Sequence, residues 1–526
     1  YFFYIFISIV SISYSQEYRW TGDANNDFFN ELNWRETSTL ENPPENSINP
    51  LHPIDFSLLL SCNIEAVGEI ILSENGSLVA ENGDFDFEKI SGLGEIILNQ
   101  SSYLNLSDLY PISEGITISM NSNKSWIKLY NVDPLSANYY YFDNILYENE
   151  QLSYPEEIRY DNYYNDGCII RLNNYESSGL RIFQENNLEG EFSDISLDIV
   201  LTGESIPNNL NNNISSFKLH KGFMVTFAEN EDGSGNSKAF IASEEDIIVE
   251  GLSEYLNNKI SFIRVVPWNW VTKKGTAGDT QLMNNNWFYM WSNNGSSDIY
   301  REYVPMAWGK AAADDDNDIE IIKGKYKSTH LLAFNEPDDC NGQSGQFADM
   351  CQVETALSYY KNLLRSGLRM VSPSCRQGAV FNWLNDFHSS SIDQKIRIDV
   401  IAVHWYDWDS NPQNSPNANP QDVFNRFRNY LESVYEMYGL PIWITEFNAN
   451  RHRNEWVHRQ FLQLAMPYLE ETGFIERYAF FPPVTGVADF LDTNNNFSQI
   501  GEFYYSFESS ESMIYEKYAS PNNLNI

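Results

Sequence analysis

From Arg19 to about Ser205, short apolar segments alternate with Asn-Gly and Ser-rich turns, and no 3.6-residue periodicity persists. That pattern predicts an all-β region. Gly68-Glu69-Ile70-Ile71-Leu72 recurs as Gly94-Glu95-Ile96-Ile97-Leu98 after 26 residues, a period suited to rungs of a β-solenoid, with a β-sandwich as the alternative. Residues 206–255 continue in β grammar. There Phe223–Phe227 and Lys238–Ala242 flank Asn230-Glu231-Asp232-Gly233-Ser234-Gly235, a hairpin signal whose acidic tip lacks the alternating ligands of a calcium loop.

Near Leu256 the pattern changes to buried strands separated by amphipathic helices. The expected strands are 260–267, 288–291, 303–308, 330–334, 368–373, 399–406, 441–446 and 475–481. Helical spacing covers 353–364, 423–438 (ended by Gly439) and 455–471. Eight such strands in about 250 residues predict a (β/α)8 TIM barrel. The expected organisation is a signal segment at 1–15, a β-rich accessory domain at 16–205, a hairpin-containing segment at 206–255, the barrel at 256–507 and a tail at 508–526.

Two of the strands carry candidate chemistry. Leu331-Leu332-Ala333-Phe334 breaks into Asn335-Glu336-Pro337, and Ile442-Trp443-Ile444-Thr445 runs into Glu446. Pro337 cannot extend a ladder, so Glu336 belongs at a rim. Two carboxyl groups facing each other across a cleft are what glycosidic bond cleavage requires. A lone glutamate at a strand end is commonly a solvated turn residue; the pair, with Asn335 beside it and tryptophans around it, points to catalysis.

Composition narrows the partners. The 33 Tyr, 32 Phe and 13 Trp suit sugar-facing surfaces as well as large cores. A net charge of −40 argues against nucleic acid or an anionic membrane. The apolar run 1–15 reads as a signal peptide with a mature start at Gln16, so export is expected, and no later run reaches the roughly 20 apolar residues of a membrane span. Oligomeric state is not legible, and a monomer is the default. Cys62, Cys168, Cys340, Cys351 and Cys375 show no metal-ligand spacing, so neither a metal nor another cofactor is expected. Cys340 and Cys351 flank a polar loop after Glu336 and form the expected disulfide; unpaired thiols are the alternative.

The set Val304-Pro305-Met306-Ala307-Trp308-Gly309, Asn335-Glu336-Pro337-Asp338, Val403-His404-Trp405-Tyr406, Trp443-Ile444-Thr445-Glu446-Phe447 and Arg477-Tyr478-Ala479-Phe480-Phe481 resembles retaining clan A glycoside hydrolases, and among them family 128. The resemblance covers about 256–507 and implies a β-1,3-glucanase with Glu336 as general acid/base and Glu446 as nucleophile. Proximity and partial burial are expected to raise the Glu336 pKa. Asn335 is the expected donor to the sugar 2-hydroxyl. His404 and Tyr406 are expected near Glu446, and Trp268, Trp291, Trp308, Trp405, Trp408 and Phe481 are candidates to line a sugar groove. For each ring taken singly, core packing is the competing role. Two alternatives stay open: a clan A enzyme on another β-glycan such as xylan, mannan or algal galactan, and a non-catalytic carbohydrate-binding or adhesive protein. The loops 341–352 and 407–422 are expected to decide the sugar.

Overall fold

The computed structural model describes residues 16–512 except 155, 174–178, 281–282 and 483–485. The expected signal segment and the tail beyond 512 lie outside the described residues. The chain divides into two compact units, Tyr1–Tyr160 with Asp166–Asn174, and Asp161–Asn165 with Tyr175–Ile526.

The first unit is β-rich and largely parallel. Ser57–Leu60 pairs with Ser77–Ala80, which pairs with Glu95–Leu98, which pairs with Thr117–Met120. The registers align Leu58, Leu78, Ile96, Ile118 and Ile145 into one buried aliphatic column. Ile64, Phe85, Leu104 and Ile127 form a second. Each rung contributes one apolar residue to each column, so no rung buries its side chains without its neighbours. The expected 26-residue period is corrected: successive rungs of the first column start at Ser57, Ser77, Glu95 and Thr117. Ser77–Ala80, which lies between the two copies of the repeated segment, is itself a rung, and Ile70 pairs with Ile90. Gly92, at φ 109°, sits where a Cβ would lie 1.9 Å from Leu72 O, so the turn requires glycine.

The second unit opens with two antiparallel four-stranded sheets. Leu180–Phe183 pairs with Phe192–Ile195 and Ser216–Leu219, and the latter with Ile247–Val249. Phe223–Ala228 pairs with Ser237–Ala242, the expected hairpin, and with Phe262–Pro267, which also takes Val200–Thr202. Leu180, Phe217 and Leu219 from one sheet and Val225, Phe227, Phe240 and Ile263 from the other share one core. This corrects two expectations. The boundary falls near 174 instead of 205, because strands on both sides of 205 enclose the same core. Residues 260–267 belong to the antiparallel layer instead of forming the first parallel strand. Arg264, on that strand, is fully buried and donates to Lys323 O (2.7 Å) and to Ser366 O, tying the layer to the region that follows.

Eight parallel segments follow: β1 Lys274–Ala277, β2 Trp287–Tyr289, β3 Glu302–Tyr303, β4 His330–Leu332, β5 Arg369–Val371, β6 Ile401–Trp405, β7 Ile442–Phe447 and β8 Ile475–Phe480. One parallel sheet runs β3-β2-β1-β8-β7-β6, and a second pairs β4 with β5. Single parallel bridges, Met306 with Leu332 and Val371 with Val400, connect the two. Helices Val353–Leu363, Trp383–Asp393, Pro420–Tyr438 and Glu455–Glu471 carry apolar stripes into a core with Leu331, Met370, Val403 and Ile444. Residues 508–512 are no detached tail: Lys273 N donates to Ser510 O and Ser512 N to Val271 O, both at 2.9 Å.

Segment β1 has an unusual composition. Lys273 and Lys274 are both buried, and each ammonium caps a helix C-terminus, where unpaired carbonyls and the negative end of the helix dipole favour a cation. Lys273 Nζ donates to Glu470 O (2.9 Å) and Thr472 O (3.1 Å), and Lys274 Nζ to Tyr504 O (2.8 Å). Burial pushes the Lys274 pKa down to about 8.

Candidate active site

At the C-terminal ends of these strands lies a cavity of about 620 Å³. A second hollow of about 480 Å³ shares Arg376, Gln377 and Trp408 with it, so the depression continues past Trp408. Glu336, Asn335, Tyr406, Trp291, Trp308, Trp408, Phe481 and Glu446 all line the first cavity, so most of the rings and both carboxylates expected from sequence meet there.

Glu336 follows β4 with φ 43°, a left-handed conformation that costs a non-glycine residue about 1–3 kcal/mol. Its N–H donates to Ser374 O at 2.7 Å, and Asn335 bridges Ser374, so the strained turn is anchored to the segment after β5. Glu446 lies within β7, which bulges against both neighbours at this level. Trp291 Nε1 donates to Glu446 Oε1 at 2.8 Å, Tyr406 Oη donates to Glu446 Oε2, and Tyr289 Oη lies 3.5 Å from Oε1.

His404 lies beneath the cavity, fully buried, and reaches both carboxylates. Its Nδ1 is 3.0 Å from Glu336 Oε1 and its Nε2 is 3.6 Å from Glu446 Oε1. Burial is the largest single influence and opposes charge on the ring, yet the fields of Glu446 and Glu336 together outweigh it and raise the pKa. Burial, then the Glu446 charge, holds the Tyr406 and Tyr289 hydroxyls well above the usual phenol range, so both remain proton donors. Among the described residues no lysine or arginine pairs with either glutamate; Arg376 is bonded to Asp338 at 2.7 Å and lies 3.4 Å from Asp339.

Two expected groove residues are elsewhere. Trp268 is buried 5.7 Å from the ring of His330, at the opposite ends of the strands, because it follows the antiparallel strand and not a parallel one. Trp405 points outward into the helical layer, 4.9 Å from Phe427 and 5.6 Å from Phe461, since strand alternation that aims His404 inward turns its neighbour out. Sequence reasoning did not single out Tyr289, Gln343, Gln377, Asn448, Asn450 or Arg451. Asn448 and Asn450 follow Glu446 at two-residue spacing, which was a usable signal; Gln343 sits in the loop closed by the Cys340–Cys351 disulfide, whose Cα atoms are 5.1 Å apart.

Residues 266–504 match the family model described as glycosyl hydrolase catalytic core. This part of the chain is similar to a glycosyl hydrolase catalytic core. The chain is 28% identical over 277 residues to Alkali-sensitive linkage protein 1 of Schizosaccharomyces pombe, a match over 47% of this chain and 45% of that protein, so it spans about half the length of that relative. Solved structures with similarity include a family 128 subgroup I endo-β-1,3-glucanase from Amycolatopsis mediterranei in complex with laminarihexaose, at 26% identity over 44% of this chain and 98% of that one, TM-score 0.38. A family 128 subgroup III curdlan-specific exo-β-1,3-glucanase from Blastomyces gilchristii in complex with glucose matches at 27% identity, 45% and 98% coverage, TM-score 0.36. The glycosyl hydrolase core thus coincides with the segment that carries both glutamates, His404 and the cavity aromatics.

Proposed function

We propose that the glycosyl hydrolase core is a secreted retaining endo-β-1,3-glucanase built on a (β/α)8 barrel, with Glu446 as nucleophile and Glu336 as acid/base. The observation that carries the division of roles is the asymmetry of the two carboxylates. Glu446 faces donors from Trp291 and Tyr406, with the Tyr289 hydroxyl, bonded to Thr445 O at 3.0 Å, close by, an arrangement suited to a carboxylate that must attack as an anion. Among the described residues the Glu336 carboxylate meets only His404, and it is open to the cavity, where it gives its proton to the leaving oxygen and then takes one from water. His404 lies between the two carboxylates, 3.0 Å from Glu336 Oε1 and 3.6 Å from Glu446 Oε1, and holds them in place without taking part in the proton transfer. Asn335, at the cavity wall, supplies the amide that recognises the 2-hydroxyl of the reacting ring.

β-1,3-glucan is the substrate implied by the sequence resemblance to family 128, and the depression running on past Trp408 suits an internal stretch of polymer. Product analysis on soluble and insoluble β-glycans, with Glu446→Gln alongside, tests the reading. Oligosaccharides from β-1,3-glucan that disappear in the variant are expected. Release only from another β-glycan overturns the substrate, and silence on every polymer overturns the activity.

A further inference from the structure

We infer that Gln343 is a positioning residue: its side-chain carbonyl, presented by the disulfide-closed loop, sets the orientation of the Asn335 amide for the substrate 2-hydroxyl. The inference rests on the proposed role of Asn335. Asn335 is nearly buried, and its Nδ2 donates to Gln343 Oε1 at 3.1 Å while its Oδ1 accepts no hydrogen bond from the described residues. Among the described residues, Gln343 is thus the one side-chain partner of that amide. Asn335 can turn its amide over only if the Gln343 amide turns with it, since two oxygens would otherwise face each other, so the contact couples the orientation of the two amides. The second hydrogen of Nδ2 is left for the cavity.

The loop is built to hold the Gln343 backbone, and so the root of its side chain, in place. Gln343 has φ 47° and ψ −148°, a conformation nearly confined to glycine, which persists only where the surroundings enforce it. Ser344 supplies that enforcement by donating twice to Asn335 O, from its N–H at 3.2 Å and its hydroxyl at 2.7 Å. Gly345 lies against Pro337 O and Asp339 O, where a Cβ would come within 2.2 and 2.5 Å. Gln346 Nε2 donates to Gln343 O at 2.9 Å. The Cys340–Cys351 bridge closes the loop, and Trp383 Nε1 ties its far end by donating to Cys351 O at 2.7 Å. The same turn that positions Glu336 therefore carries the residue that orients its neighbour.

The test uses an aryl β-laminaribioside and its counterpart lacking the 2-hydroxyl on the reacting ring, with wild type, Asn335→Ala, Gln343→Leu, Gln343→Glu and Asn335→Ala/Gln343→Leu. Gln343→Leu is expected to lower kcat on the parent substrate about five- to tenfold, the worth of one hydrogen bond, and to leave the deoxy substrate unchanged. Gln343→Glu, which keeps an acceptor, restores the parent rate, and the double variant is no slower than Asn335→Ala alone. Equal loss on both substrates in Gln343→Leu, with Asn335→Ala still discriminating, overturns the inference and leaves the Asn335 reading intact. Equal loss on both in Asn335→Ala overturns both.

Discussion

The two ends of the parallel strands hold buried ionic clusters of similar size and opposite design. At the N-terminal ends, Arg477 pairs with Glu302 at 2.8 Å and lies 4.4 Å from the Trp443 ring centroid, Arg369 pairs with Glu476, and Thr329 donates to Glu302 at 2.8 Å. His330, within 3.0 Å of Arg369, is pushed down to about 4, chiefly by burial, and is neutral. The Glu476 carboxyl is held far below the usual range, because Arg369 and His330 outweigh its burial. Every acid there has a cation. At the C-terminal ends Glu336 and Glu446 have neutral donors, one shared histidine and a cavity. A paired cluster fixes the strands; an unpaired one keeps its charge available to a substrate. On the proposed function, stability lies at one end of the strands and chemistry at the other.

That contrast can be broken by exchanging the expected responses. At the open end, Glu446→Gln or Glu336→Gln is expected to lower kcat by about 10²–10⁴-fold with little change in Tm. Thermal unfolding beside the assay checks this, and a large loss of Tm would assign these residues to the scaffold. At the closed end, Arg477→Met leaves Glu302 buried without its partner and is expected to cost about 3–5 kcal/mol of stability, read by denaturant titration. Its kcat per folded molecule is expected to stay within a few-fold. Tyr406→Phe removes one donor from Glu446 and is expected to cost about 10–100-fold in kcat with KM nearly unchanged.

The smallest effect concerns pH. The folded pKa of His404 is raised above its ordinary value of 6.5 by Glu446 and Glu336 against burial. Its contribution to stability is therefore fully present below about pH 6.5 and lost as pH rises through the raised value. The stability gap between wild type and His404→Gln is expected to narrow across that window in urea titrations. A gap that widens with pH would contradict the charged bridge.

The sequence made the open end more legible than the closed one, for physical reasons. Glu336 and Glu446 end apolar runs, and a charge at such a break stands out. Seven of the eight parallel segments were visible as short apolar stretches. The exception, β1, reads as a polar loop because Lys273 precedes it and Lys274 opens it; the helix C-termini that receive their ammonium groups allow both to be buried. Residues 260–267 were rightly read as buried, but burial on both faces does not say whether the neighbours run parallel, so Trp268 was assigned to the wrong end. The ion pairs of the closed end were not read from the sequence, since nothing local marks a pairing between strands far apart in the chain. In the first unit the rungs were detected with the wrong spacing, because Ser77-Leu78-Val79-Ala80 is a rung that shares none of the Gly-Glu-Ile-Ile-Leu wording by which the repeat was found.

The most direct measurement is covalent trapping. An activated 2-deoxy-2-fluoro-β-laminaribioside would be incubated with the enzyme and the peptides analysed by mass spectrometry. The account predicts one fluoroglycosyl group on the peptide containing Glu446, absent from Glu446→Gln. A label on Glu336 would exchange the two roles, and hydrolysis of the parent glycoside with inversion and no label would contradict double displacement altogether.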